Sequence, residues 1–379
     1  MTPRLKIIID DKIPYTPDFA SLNIDAKRIG GAKITQEDLR DADALMVRTR
    51  TKVNAQILDK TKVDFVATAT IGFDHIDRQY LADNNVEWTN CPGCNSESVA
   101  QYFCSALFNL ADKYNWNLKE KTLGVVGIGN VGSKVVRKAQ ALGMKVVQCD
   151  PPRKEAEGIA EFVDLATVKA EADFITFHVP YTKEGEYKTH HLVDESFLKT
   201  MKSDAALMNS SRGDIIDNIA LREAMKENAE IKAVLDVWEK EPNIDSELLA
   251  LVDVATSHIA GYSADGKAKG TSMSLQAISR HFKLDLDDWF PDNVPVHESM
   301  EINIDNATLS DLEVAREACL TTYDTSTDDK LIRSDISSFE YNRGNYQLRR
   351  EFHNYTVKLS TKNDSHEKVI KGLGFQLAE

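Results

Sequence analysis

Short apolar runs recur along this chain, separated by stretches in which apolar residues return every three or four positions. The runs at residues 4–9, 43–48 and 63–68 predict β-strands, with helical stretches between them. Alternation of this kind builds a parallel sheet, so the first 95 residues are expected to form a small α/β domain. Val99, Phe103, Leu107 and Leu110 then fall on one face of a helix predicted over residues 97–113, with Ser96 as its cap. The strand–helix rhythm resumes with strands at 123–126 and 144–150 around a helix at 131–142. Further strands are expected at 172–180, 205–213, 232–238 and 252–257. Residues 265–284 read as a helix, and Trp289-Phe290-Pro291-Asp292-Asn293-Val294-Pro295 as a break with linker chemistry. Beyond it a third unit is expected to be α+β. It has a strand at 300–304, a capping box Ser310-Asp311-Leu312-Glu313 opening a helix to Tyr323, a helix over 341–352 and a strand at 355–359. No internal repeat or low-complexity segment interrupts the chain.

Composition narrows the class. With 379 residues there is room for two or three domains, each with its own core. The formal charge of −14 disfavours a nucleic-acid partner, so an anionic ligand would have to meet a local cluster of Arg and Lys. No apolar run is long enough to span a bilayer, and no membrane partner is expected. Residues 1–11 read as a first strand and not as a signal peptide. Five cysteines fit a reducing compartment, and a cytoplasmic location is expected. Cys91-Pro92-Gly93-Cys94 has redox spacing but no thioredoxin-like context, and reads as a turn entering a helix.

The densest chemical signal is Gly127-Ile128-Gly129-Asn130-Val131-Gly132, placed between a strand and a helix. This is the G-x-G-x-x-G spacing. The first glycine permits the tight turn, the second lets a pyrophosphate approach the backbone, and the third lets the helix pack on its strand. The helix N-terminus would direct free N–H groups at the phosphates. Asp150, 18 positions after Gly132, ends the next strand and can accept hydrogen bonds from a ribose diol. A carboxylate there favours NAD over NADP, although Arg153 lies close by. Each later strand ends in a polar residue able to act on a ligand, which argues for one shared cleft.

Taken together, the glycine motif, Asn209-Ser210-Ser211-Arg212-Gly213, Leu235-Asp236-Val237-Trp238-Glu239-Lys240-Glu241-Pro242 and Ser257-His258-Ile259-Ala260-Gly261 resemble the D-2-hydroxyacid dehydrogenase family over residues 1 to about 285. The resemblance implies a Rossmann-type NAD domain (96–258) inserted in a flavodoxin-like α/β substrate domain (1–95 and 259–285). A narrower group within the family is suggested by Asp11-Lys12-Ile13-Pro14-Tyr15, by residues 42–48, by Cys149-Asp150-Pro151-Pro152-Arg153 and by the stretch through Tyr262. In that group an extra C-terminal α+β unit, here 286–379, serves dimerisation, so a homodimer is implied. The substrate implied is a small phosphorylated hydroxy acid.

Carried over residue by residue, Arg212 matches the arginine that holds the substrate carboxylate, and His258 the general base. Glu241, directly before the proline, matches the acid that orients the histidine, in preference to Glu239. Gly127, Gly129, Asn130, Val131, Gly132, Asp150, Val179, Ser210, Ser211, Asp236 and Gly261 match cofactor positions. Thr49, Thr70 and Tyr262 match substrate positions. Arg48 is the nearest candidate for the substrate phosphate, with Arg349 or Arg350 of a partner subunit as a second hypothesis. His178 is expected to be structural, and no metal is expected. Three other readings stay open: the same chemistry on another phosphorylated hydroxy acid such as 3-phosphoglycerate, with the C-terminal unit then regulatory; a nicotinamide-sensing corepressor that binds peptides; and an inert relative without turnover.

Overall fold

A computed structural model describes residues 4–378. The chain forms two compact units, Met1–Asn95 with Ser263–Pro295, and Ser96–Tyr262 with Val296–Glu379.

The first unit is built on five parallel strands: β1 (Leu5–Asp10), β2 (Ile24–Ile29), β3 (Ala44–Val47), β4 (Phe65–Thr68) and β5 (Glu87–Thr89). Their order is β2-β1-β3-β4-β5, the flavodoxin-like order expected. Apolar side chains cover both faces, with Ile7, Ile9 and Met46 on one and Ile8, Leu45 and Val66 on the other. The pattern missed β2 and β5 because both are edge strands with partly exposed faces, so neither carries a continuous apolar run. The helix Ala264–Phe282 closes this unit, capped by Ser263, whose Oγ accepts from the N–H of Gly266 at 2.8 Å.

The second unit holds β6 (Thr122–Val126), β7 (Lys145–Cys149), β8 (Phe174–Phe177), β9 (Ala206–Asn209), β10 (Lys232–Leu235) and β11 (Val254–Ala255), all parallel. The order is β11-β10-β9-β8-β6-β7. A single bridge from Phe162 to Gln148 adds a rudimentary strand outside β7, which completes the 3-2-1-4-5-6 arrangement of a dinucleotide-binding sheet. The helix Ser96–Tyr114 begins on Ser96 itself rather than after it. It is buried on nearly every side, the polar Ser98, Gln101 and Ser105 included.

Residues 296–378 form a three-stranded parallel sheet, β12 (Glu301–Ile304), β13 (Thr356–Leu359) and β14 (Gln376–Leu377), with four helices. The capping box at Ser310 and Glu313 is present. The helix expected over 341–352 forms only at Phe339–Gly344 and ends at Asn345. Residues 346–350 then run without regular structure. Helices Thr325–Ser334 and Asp364–Leu373 were not expected; both open on an Asp or Asn cap. This segment shares one core with the helix Ser96–Tyr114 and the sheet, through Tyr102, Phe103, Val314, Cys319, Ile370 and Leu373. At Gly372 a Cβ would come within 2.6 Å of Ala141, so the C-terminal helix lies directly on the helix of the glycine motif. Among the described residues no helix is long and apolar enough to cross a membrane.

Candidate active site and nucleotide-binding turn

The three glycines divide their work as their spacing implies. Gly127 has φ +89°, and a Cβ there would lie 2.5 Å from the carbonyl oxygen of His178. A Cβ on Gly132 would sit 1.9 Å from the oxygen of Gly127, so the helix Gly132–Ala141 can approach the turn only with glycine there. At Gly129 a Cβ would meet nothing within 4 Å. That open space is where a pyrophosphate would rest. Asn130 is exposed and Val131 half-buried beside it. Asp150 accepts from the N–H of Ile128 at 2.8 Å and of Arg153 at 3.2 Å, tying the second strand's end to the turn and capping the helix Pro151–Glu157. Arg153 is engaged elsewhere. Its Nε and Nη2 each donate to Glu157 at 2.6 Å, and Nη1 donates to the oxygen of Ile128 at 2.5 Å. The Ser210 hydroxyl is buried without a partner among the described residues, an orphan that a bound cofactor could satisfy. Val179 is half-buried, next to where a Gly127 Cβ would point. These features fit a dinucleotide.

His178 is structural. Its Nε2 lies 3.0 Å from the Thr176 hydroxyl, and burial pushes its pKa down to about 3, so it is neutral.

At the end of β9 the chain turns through Arg212. The buried side chain of Asn209 organises this turn: its Oδ1 accepts from the N–H and hydroxyl of Ser211, and its Nδ2 donates to the oxygen of Arg212 at 2.7 Å. Sequence reading passed over Asn209, though its place before Ser-Ser-Arg-Gly was the signal. Gly213 follows. A Cβ there would fall 2.0 Å from the Trp238 oxygen, so the arginine turn lies flat against the loop that carries Glu241.

That loop leads to His258. Nδ1 of His258 lies 2.8 Å from Oε2 of Glu241, and the other carboxylate oxygen accepts from the N–H of Trp238 at 3.0 Å. Burial alone would raise the Glu241 pKa. The hydrogen bond and charge of His258, the Trp238 N–H and the nearby Arg343 outweigh it and hold the carboxyl below its ordinary range. An ionised carboxylate at Nδ1 fixes the proton there and leaves Nε2 as an acceptor on a ring that is 30% exposed. Glu239 points away. It meets His191 Nε2 at 2.8 Å and the N–H of Asn218 at 3.0 Å, so the choice of Glu241 matches the geometry. His191, Asp217 and Glu239 bring ligand atoms within 4.8 Å of one another. Glu239 also accepts from Asn218, and Asp217 caps the helix Asn218–Glu227.

Asp236 is 1% exposed, and its carboxylate faces the protein. It accepts from the Thr256 hydroxyl at 2.6 Å and from the N–H groups of Ile259 and Ala260 at 2.7 and 3.0 Å. The loop holding His258, whose φ is +56°, therefore hangs from this carboxylate. Gly261 and Tyr262 follow, and the ring of Tyr262 meets that of Tyr346 edge-on at 6.0 Å.

In the first unit, Thr49 is exposed after β3, and Arg48 donates to the Lys12 oxygen at 3.2 Å. After β4, the Thr70 hydroxyl donates to the Gly72 oxygen at 2.9 Å and lies 2.7 Å from that of Thr68. The two C-terminal arginines correct an expectation. Arg349 and Arg350 are 2% and 7% exposed and bond within their own chain, Arg349 to the oxygens of Ile259 and Ala260, and Arg350 to Asn354. The Cys91 and Cys94 thiols are buried and form no disulfide, and burial pushes Cys91 up to about 11, which fits a turn and not a redox pair.

Residues 102–260 match the family model of the D-isomer specific 2-hydroxyacid dehydrogenase NAD-binding domain, and residues 294–374 match a domain of unknown function. Erythronate-4-phosphate dehydrogenase of Bacteroides fragilis is 45% identical, over 94% of this chain and 100% of its own. The chain belongs to the erythronate-4-phosphate dehydrogenase family. A member from Serratia proteamaculans is 38% identical over 99% of this chain and 100% of its own. Among solved structures, D-lactate dehydrogenase from Aquifex aeolicus, complexed with NAD and lactic acid, superposes with a TM-score of 0.62. It is 25% identical and covers 77% of this chain and 100% of its own. The chain is thus an NAD-dependent dehydrogenase with a Rossmann-type domain.

Proposed function

We propose that this chain oxidises 4-phospho-D-erythronate to 2-oxo-3-hydroxy-4-phosphobutanoate, a step toward pyridoxal 5′-phosphate, in the cytoplasm. The observation that carries the reading is the 2.8 Å pairing of His258 with Glu241, beside an arginine turn held in place by Gly213. The substrate name comes from the near full-length relatives.

The Arg212 guanidinium holds the substrate carboxylate and the C2 oxygen through its planar set of donors. Nε2 of His258 takes the hydroxyl proton and returns it in the reverse direction. Glu241 keeps the ring oriented and stabilises the imidazolium that forms. NAD, when bound over Gly129 with its ribose at Asp150, supplies the acceptor for the C2 hydride. Asn130 and Val131 offer backbone N–H groups to the phosphates, Ser210 offers its hydroxyl with Ser211 next to it in the turn, and Val179 and Gly261 line the cofactor's path. Asp236 serves by holding the loop. Thr49, Thr70, Tyr262 and Arg48 contact the substrate, with Arg48 toward the phosphate. The C-terminal unit pairs two chains as a homodimer.

The test is NADH formation with 4-phospho-D-erythronate and with 3-phosphoglycerate, beside His258→Ala. Turnover of the first alone, lost in the variant, is the expected result. A preference for 3-phosphoglycerate would refute the substrate; NAD binding without turnover of either would refute the reaction.

A further inference from the structure

The loop that carries His258 is held from two sides, and only one hold comes from the dinucleotide-binding sheet. Asp236, just after β10, takes the N–H groups of Ile259 and Ala260. The carbonyl oxygens of the same two residues are taken by Nη2 of Arg349, from the C-terminal segment. Arg349 is 90 residues from Ile259 in sequence and fully enclosed. Its guanidinium carbon lies 4.4 Å from the ring centre of Tyr323 and 5.6 Å from that of Tyr346. Both tyrosine hydroxyls donate to Asp328, at 2.7 and 2.8 Å. Tyr346 also meets Tyr262 at the far end of the loop.

This is an expensive arrangement. A buried guanidinium loses its hydration, and here Nε and Nη1 have no hydrogen-bond partner among the described residues. The two aromatic faces and the Asp328 charge offset part of that loss. An apolar residue of similar length would fill the space at lower cost. What it could not do is bond to the two carbonyls next to His258. Loss of that hold would let the loop shift on the Asp236 side alone, and the imidazole would shift with it.

We propose that Arg349 is a positioning residue for the general base, so that the C-terminal domain of unknown function is a working part of the active site. Asp236 and Arg349 act as a clamp, one on the amides and one on the carbonyls of the loop. The proposal rests on the reading of His258 as the base, and it gives the C-terminal unit a role within one chain, independent of pairing.

The test uses the full-length protein with Arg349→Met, which keeps length and loses every donor, and Arg349→Lys, which keeps the charge and one reaching donor. Thermal melting and NAD titration establish folding and cofactor binding. For Arg349→Met we expect the NAD dissociation constant to change less than about twofold while kcat falls roughly tenfold to a hundredfold. We also expect a larger deuterium isotope effect on kcat with substrate deuterated at C2. Arg349→Lys should recover part of kcat, and should be folded even if the methionine variant is not. His258→Ala runs alongside. Should either folded Arg349 variant keep the wild-type kcat and isotope effect while His258→Ala is inactive, the clamp is refuted. If His258→Ala itself keeps its activity, the assignment of the base has failed, and the clamp with it.

Discussion

His258 Nδ1 and Glu241 Oε2 stand 2.8 Å apart, across 17 residues of sequence. The pair separates two carboxylates that sequence alone leaves adjacent. Glu241→Gln should reduce kcat by roughly 10² or more, the usual scale for an impaired general base. Glu239→Gln, whose partner is His191, should stay within a few-fold of wild type. Steady-state rates of the two variants side by side check this; equal losses would reject the assignment.

The glycine motif yields a contrast between binding and folding. At Gly129 an added methyl meets only open space, so Gly129→Ala should leave the melting temperature unchanged. It should weaken NAD binding by about tenfold or more, because the methyl occupies the pyrophosphate's approach. Gly132→Ala drives its Cβ against the Gly127 oxygen and should cost about 1–3 kcal/mol of stability, the range for overpacking. Titration of NAD by fluorescence and thermal melts separate the two effects.

Cofactor choice should depend on Asp150 and on the occupation of Arg153. In the wild type the Arg153 fork is held by Glu157, so Arg153 is not offered to a 2′-phosphate. Wild-type kcat/KM should therefore favour NAD. The double variant Asp150→Ser, Glu157→Gln removes a repelling carboxylate and loosens Arg153, and the NADP to NAD ratio should rise by at least tenfold. A ratio that does not move would show that Asp150 does not face the ribose.

Acid stability should involve Glu97. Burial raises its pKa, but Lys138 and Lys134, at 3.2 and 2.6 Å, more than reverse this and hold it at about 2. The folded pKa lies below the unfolded one. The stabilisation is therefore complete above the ordinary value of 4.5 and is lost as pH falls toward 2. At pH 7, Glu97→Gln should cost on the order of 2 kcal/mol, allowing for the part of the side chain open to solvent. Denaturant melts from pH 7 to pH 2 should show the two proteins converging at the acid end. A constant difference would contradict the assignment.

Much of the site was legible in the sequence because it lies in short contiguous motifs. The glycine motif needs only local backbone geometry, and each of Gly127, Gly129 and Gly132 stands where its spacing implied. The apolar runs of β3, β4, β6, β8, β9 and β10 are buried on both faces, so their strands could be read directly. The edge strands β2 and β5 could not, since half of each faces outward. The helix over 341–352 was misread. Its apolar spacing is helical, but the chain leaves the helix at Asn345, and Tyr346 and Arg349 instead make contacts with distant residues.

The sequence by itself determined the parallel α/β class and the dinucleotide turn, because each follows from residue type at fixed spacing. Only the tertiary structure decided what Asp236 and Arg349 do. Asp236 reads as a cofactor position from sequence and Arg349 as a candidate for the substrate phosphate, and the fold adds that both hold the His258 loop. The reason is physical: a buried charge takes its partner from whatever groups are left unpaired around it, and here those are backbone amides and carbonyls 23 to 90 residues away.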